Sequence, residues 1–149
     1  MKGVVILDTG PLVASVNRRD EYHAWATEEF ADLAPPLLTC DAVLAEACYL
    51  LRDTDGGSRA VLELLERGVV TSGFPVAAHA ASLKALMAKY SGVPMSLADA
   101  CLVRLSELHD RVTVMTLDHD FLIYRRHGRQ GIPVLMPPVC TAQGQLRGS

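Results

Sequence analysis

The 149-residue chain lacks the cysteine pattern of a zinc finger or a disulfide scaffold. Cys40, Cys48, Cys101 and Cys140 form no C-x-x-C pair and have no histidine at zinc-finger spacing. Three of them stand among apolar residues, which predicts buried free thiols. Long hydrophobic runs are also missing. The apolar run after Lys2 is broken at Asp8, too short for a signal peptide or a membrane span, so a cytoplasmic protein without a membrane partner is expected. Positive charge is scarce: 14 Lys and Arg against 17 Asp and Glu leave a formal net charge of −3. That argues against a protein that coats nucleic acid through a broad basic face. It leaves room for a nuclease, because an acidic metal site offsets basic residues elsewhere in the count. The five histidines show no mutual spacing that suggests catalysis, and the chain has no internal repeat.

What is present is a globular composition, half hydrophobic and 21% charged, long enough for a full core and too apolar for disorder. Residues 1–136 read as one domain, and residues 137–149, containing Gly and Gln without periodicity, read as a loosely ordered tail.

The most informative stretch is Val4-Val5-Ile6-Leu7-Asp8-Thr9-Gly10-Pro11-Leu12-Val13-Ala14. A run apolar at every position predicts a strand buried on both faces of a parallel sheet. It stops at Asp8; Gly10 permits a tight turn, and Pro11 suits the first turn of a helix. Asp8 is then at the carboxyl end of a central strand, where open α/β sheets bind ligands. A helix cap alone would also use an aspartate there.

Acids recur at equivalent places. A helix over Glu21 to Leu33 carries Trp25 toward the core, and Leu37 to Cys40 reads as a second strand. Asp41 is a candidate N-cap for a helix from Ala42 to Arg52. On it Glu46 has Ala42, Val43, Tyr49 and Leu50 as i±3 and i±4 neighbours, a largely apolar face. Further helices are expected from Ser58 to Arg67 and from Pro75 to Tyr90, with a strand over Val69 to Thr71. Ser96-x-x-Asp99 resembles a capping box opening a helix that runs to about His109. Asp99 also has Leu102 and Val103 as its i+3 and i+4 neighbours. Val112 to Thr116 is another buried strand ending near an acid, Asp118, with His119 and Asp120 beside it. Phe121 to Gly128 reads as a short element ending in a basic turn that suits a helix dipole, and Ile132 to Leu135 as an edge strand.

Strands alternating with helices predict a parallel sheet whose strand ends share one edge. If Glu46 and Asp99 reach that edge, four carboxylates meet, and like charges so placed raise one another's pKa. A hard divalent cation resolves the conflict. Oxygen ligands without His or Cys favour Mg²⁺ or Mn²⁺ over Zn²⁺, in a site suited to phosphoryl-transfer chemistry.

In the order Leu7-Asp8-Thr9-Gly10-Pro11-Leu12-Val13-Ala14, Glu46, Leu97-Ala98-Asp99-Ala100 and Thr116-Leu117-Asp118-His119-Asp120-Phe121, the chain resembles the PIN-domain family, most closely its VapC-type toxin ribonucleases. The resemblance implies a PIN-like (Rossmann-like) three-layer α/β/α sandwich with a mainly parallel central sheet. It also implies a Mg²⁺- or Mn²⁺-dependent endoribonuclease that hydrolyses RNA phosphodiesters by metal-activated water. Asp8, Glu46 and Asp99 would be the core metal ligands, Asp118 the fourth acid and Asp120 an accessory one. Thr9, Ser96 and Thr116 would orient carboxylates or waters. Toxins of this type form homodimers and pair with an antitoxin that often presents an Arg to the acidic pocket. Candidate RNA contacts are Arg18, Arg19, Arg125 and Arg126, which could equally be solvated charge.

Rival readings fit less well. A haloacid-dehalogenase-like phosphatase needs an acid two residues after Asp8, where Gly10 stands. A receiver domain needs a late Lys, and none follows Lys89. The alternative from another class is a non-catalytic PIN-like module that holds RNA or a protein.

Overall fold

A computed structural model describes residues 3–140 and 146–147. The aliphatic run Val4–Leu7 forms β1, with Ile6 and Leu7 fully buried. It is followed by α1 (Thr9–Val16), α2 (His23–Asp32), β2 (Leu37–Thr39), α3 (Asp41–Leu50), α4 (Gly57–Glu66), β3 (Val70–Ser72), α5 (Ala80–Lys89), α6 (Leu97–Glu107), β4 (Val112–Met115), β5 (Arg125–Arg126), β6 (Gln130–Gly131) and β7 (Val134–Leu135). Five strands make one parallel sheet in the order β3-β2-β1-β4-β7, flanked by the six helices as an α/β sandwich. Leu12 and Ala14 of α1, Val43 and Ala47 of α3, and Cys101, Leu102 and Val103 of α6 are fully buried against Ile6, Leu7, Val114 and Met115 of the sheet. Apolar positions at helical spacing thus meet strands whose two faces are both covered, as parallel sheets require.

The strand order places the reversal of chain progression between β1 and β4. From β1 the chain steps outward through β2 to β3, then returns to the other side of β1 as β4. The register Leu7↔Met115 makes Asp8 and Thr116 the first residues beyond two neighbouring strand ends. Ligands bind in open α/β sheets at such a switch point, outside the carboxyl ends of the strands.

The structure departs from the sequence reading in local places. Gly10 makes no turn: it lies inside α1, and a Cβ there would come within 3.1 Å of the Leu117 side chain. Asp41 is not the cap of α3. Cys40 holds that position, and Asp41 instead accepts a 2.6 Å hydrogen bond from Ser72 Oγ in β3. The segment from Pro75 opens with a 3-10 turn, Ala77–His79, before α5 begins. The basic run Arg125 to Gly128 does not end a helix. Arg125–Arg126 pairs antiparallel with Gln130–Gly131, and His127 and Gly128, at φ of 51° and 80°, turn the hairpin.

Cys40 and Cys101 are buried free thiols, and Cys48 is half-buried and free. Burial pushes the Cys40 thiol up to about 12 and raises that of Cys101, so neither is poised to react. Of the expected tail, Val139–Cys140 and Leu146–Arg147 pair antiparallel, and its remaining residues from 141 on lie outside the described residues. Among the described residues no helix is long and apolar enough to cross a membrane.

Candidate active site

Asp8 is both a helix cap and a cleft residue. Its Oδ1 accepts from the Thr9 backbone N–H at 2.8 Å, and its Oδ2 accepts from Thr116 Oγ1 at 2.7 Å. The backbone N–H of Asp8 donates to the Met115 carbonyl at 3.0 Å, continuing the ladder by one residue. The side chain is nearly buried, and desolvation pushes its pKa from 3.8 up to about 6, with smaller contributions from the charges of Asp99 and Asp118 opposing the two hydrogen bonds.

Asp118 follows β4 and starts a 3-10 turn, His119–Leu122, by accepting from the Asp120 N–H at 2.9 Å. Its own N–H donates to Thr116 Oγ1 at 2.9 Å. Thr116 therefore ties the acid after β1 to the loop after β4. Asp99 sits in the first turn of α6, with its N–H donating to Ser96 Oγ at 3.0 Å, so the cap and the acid are one local unit. Burial raises the Asp99 pKa. A hydrogen bond from Tyr124 opposes that rise, and the charge of Asp118 adds to it.

Glu46 projects from the middle of α3. It is exposed, so it does not join the buried face of α3 despite its apolar i±3 and i±4 neighbours. The core face of α3 is Val43 and Ala47, whereas Tyr49 and Leu50, one turn beyond Glu46, are 62% and 50% exposed. Of the apolar neighbours of Glu46, Val43 faces the core while Tyr49 and Leu50 stand in solvent, so Glu46 lies beyond the edge of the buried stripe.

Asp8, Glu46, Asp99, Asp118 and Asp120 line one open cleft of about 440 Å³ together with Thr9, Gly10, Ser96, Leu50, Pro94 and Leu117. Five carboxylates and no Lys or Arg belong to this lining. The Thr9 hydroxyl is buried without a hydrogen-bond partner. Hard oxygen donors, an uncompensated buried carboxylate and a lone hydroxyl fit a hard divalent cation rather than Zn²⁺. The cleft is open rather than a closed cage: among the described residues no three His, Cys, Asp or Glu side chains stand close enough to grip an ion.

The basic candidates are not part of this cleft. Arg18 and Arg19 are exposed after the far end of α1, eight residues long and so about 12 Å from Asp8 along the helix. Arg18 lines a separate cavity with His23, Thr27 and Arg67. Arg126 is 6% exposed, and its guanidinium donates to the carbonyls of Ser106, His109 and Asp110, which corrects its reading as a phosphate contact. Arg125 Nη1 donates to the carbonyls of Leu122, Ile123 and Tyr124, which fastens the turn that follows Asp120.

Tyr124 is the residue that sequence reasoning missed. It is fully buried, and its hydroxyl donates to Asp99 Oδ2 at 2.8 Å. The contact joins residues 25 apart on different elements, so local pattern carries no sign of it.

No curated protein matches the sequence. Among solved structures the chain is similar to VapC20 of Mycobacterium tuberculosis, a Sarcin-Ricin loop cleaving toxin, with a TM-score of 0.64 and 22% identity over 78% of this chain and 91% of that one. At that identity the likeness is one of fold. A family model of the PIN domain matches residues 5–126, from β1 through β5 and across all five cleft acids, and the chain therefore belongs to the PIN domain family.

Proposed function

We propose that this PIN domain is a divalent-metal-dependent endoribonuclease of the VapC type, with Asp8, Glu46, Asp99 and Asp118 holding Mg²⁺ or Mn²⁺ and Asp120 in an accessory place. The observation that carries the reading is a cleft lining with five carboxylates and no Lys or Arg at the switch point of a parallel sheet. Such a cluster is costly unless positive charge arrives. The likeness in fold to a Sarcin-Ricin loop cleaving toxin supports the toxin class. On this reading the chain acts in the cytoplasm as a homodimer and is held in check by a cognate antitoxin.

A bound divalent cation supplies a lowered pKa to water and offsets charge on a scissile phosphate. The chain's own part is orientation. Thr116 and the Thr9 N–H hold both oxygens of Asp8, Ser96 fixes the turn that carries Asp99, and the Asp120 N–H holds Oδ1 of Asp118. Glu46 approaches from the solvent side of α3 and completes the negative lining. Leu50, Pro94 and Leu117 give the cleft apolar wall against which a nucleotide can rest.

One observation favours a second reading, a PIN-like module that holds RNA or a protein without cutting: among the described residues no three acids are already gathered around a point. The deciding experiment is cleavage of a structured RNA pool with Mn²⁺, with Mg²⁺ and with EDTA, beside Asp99→Asn. Metal-dependent cleavage that the variant loses supports the nuclease. Absence of both cleavage and calorimetric Mn²⁺ binding leaves the binding module.

A further inference from the structure

The geometry points to Tyr124 as a positioning residue for the metal site: we propose that its hydroxyl locks the Asp99 carboxylate in the orientation that presents its other oxygen to the cleft. This rests on the reading of Asp99 as a metal ligand.

Three features make the tyrosine a fixed donor. Its ring meets Phe121 edge-on, with centroids 5.2 Å apart at 85°, and Tyr90 at 5.1 Å and 68°. Its backbone N–H donates to the Asp120 carbonyl at 3.1 Å, closing the turn that begins at Asp118. The next residue is anchored twice, through the Arg125 N–H on Tyr90 Oη at 2.9 Å and through its guanidinium on three carbonyls of the same turn. A fully buried ring so held delivers its hydroxyl to one place.

The chemistry of the donor matters as much as its position. A Lys or Arg on Asp99 would orient it but cancel the charge a cation needs, whereas a phenol donates one hydrogen bond and leaves the carboxylate anionic. Tyr124 occupies one lone-pair direction of Oδ2 at 2.8 Å. Because Asp118, Asp120 and Tyr124 share one turn, the same bond couples the acid on α6 to the acids after β4. Rotation of Asp99 about its terminal torsion, a soft and roughly two-fold motion in a free carboxylate, is thereby restrained. Partners of this kind around metal ligands are worth about 10–100-fold in metal affinity.

The test is calorimetric titration of Mn²⁺ into the full chain and into Tyr124→Phe and Ser106→Ala. Tyr124→Phe keeps the ring contacts and removes only the donor. Ser106→Ala deletes another buried hydroxyl, one that donates to the Val103 carbonyl on the same helix as Asp99 without touching Asp99 or Tyr124, and thermal melts in EDTA verify that each variant is folded. The proposal expects Mn²⁺ affinity to fall by about tenfold or more in Tyr124→Phe and to stay within about twofold of the parent in Ser106→Ala. Cleavage at saturating Mn²⁺ should recover toward the parent rate, which a general packing defect would not allow. Equal Mn²⁺ affinity in folded Tyr124→Phe overturns the proposal and leaves the nuclease reading standing. Equal losses in both variants also overturn it, since packing then explains the effect. A parent chain that neither binds Mn²⁺ nor cleaves RNA removes the nuclease reading and this inference together.

Discussion

The hydroxyl of Thr116 donates to Asp8 Oδ2 at 2.7 Å across 108 residues of chain, and Thr116 Oγ1 in turn accepts the Asp118 N–H at 2.9 Å. The pairing follows from register: β1 and β4 run parallel with Leu7 opposite Met115, so the next residue of each strand meets its counterpart. One small side chain thus serves two acids at once. Thr116→Val keeps the shape and removes both bonds, leaving a buried carboxylate oxygen and a half-buried N–H short of partners. The expected cost is about 1–2 kcal/mol of stability, together with weaker Mn²⁺ binding. Thr116→Ser, which restores the oxygen, should recover most of the affinity. Chemical denaturation and calorimetry on the two variants decide whether the hydroxyl or the methyl is responsible.

The buried carboxylate of Asp8 gives the metal-free protein a characteristic pH dependence. Its pKa is 3.8 in an ordinary setting and is pushed up to about 6 by burial. Between those values the folded state holds more protons than the unfolded state. The contribution to stability is therefore fully present below about pH 4 and is lost as pH rises through 6. A two-unit shift corresponds to on the order of 2–3 kcal/mol, and the raised Asp99 adds in the same direction. Urea denaturation in EDTA should show the parent chain less stable at pH 7 than at pH 5. Asp8→Asn should flatten that slope. A stability that rises over this interval in the parent chain would refute the assignment.

Strand ends and caps were the legible part of the molecule. Asp8, Asp99 and Asp118 stand where strand-then-acid and cap-then-acid patterns put them, because those patterns are local. What sequence did not carry was the direction of a helix face and the reach of long side chains. Counting apolar neighbours left open whether Glu46 points inward or sits at the edge of the stripe; Tyr49 and Leu50 are exposed, and only packing decides which flank the sheet covers. Arg126 in a basic run reads as solvated, yet its acceptors are carbonyls at the end of α6, 16 to 20 residues earlier. Tyr124 was invisible for the same reason, since its partner lies on another element.

Arg126 is accordingly expected to matter for stability. Its guanidinium satisfies carbonyls past the last turn of α6, where helix ends leave acceptors without partners. Arg126→Met should cost about 2–3 kcal/mol by stranding those carbonyls, while Arg19→Ala, at an exposed site, should change stability by under about 0.5 kcal/mol. Paired urea melts separate the two. Equal effects would mean that the buried network contributes nothing beyond a surface charge.

Glu46 and Asp8 offer the sharpest separation of function from fold, because they share a cleft but not an environment. Asp8 is 7% exposed and its charge is a burden on the empty protein. Glu46 lines the same cleft from the exposed side of α3. Removing charge from either should abolish metal-dependent RNA cleavage, since both face the same space. Their effects on the metal-free fold should differ: Asp8→Asn should raise the melting temperature at pH 7, and Glu46→Gln should leave it unchanged. With Mn²⁺ the parent chain should gain thermal stability that grows with the logarithm of free Mn²⁺ once this exceeds Kd, and both variants should gain far less. Cleavage retained by Glu46→Gln at the parent rate would remove α3 from the site and confine the chemistry to the acids after β1 and β4 and on α6.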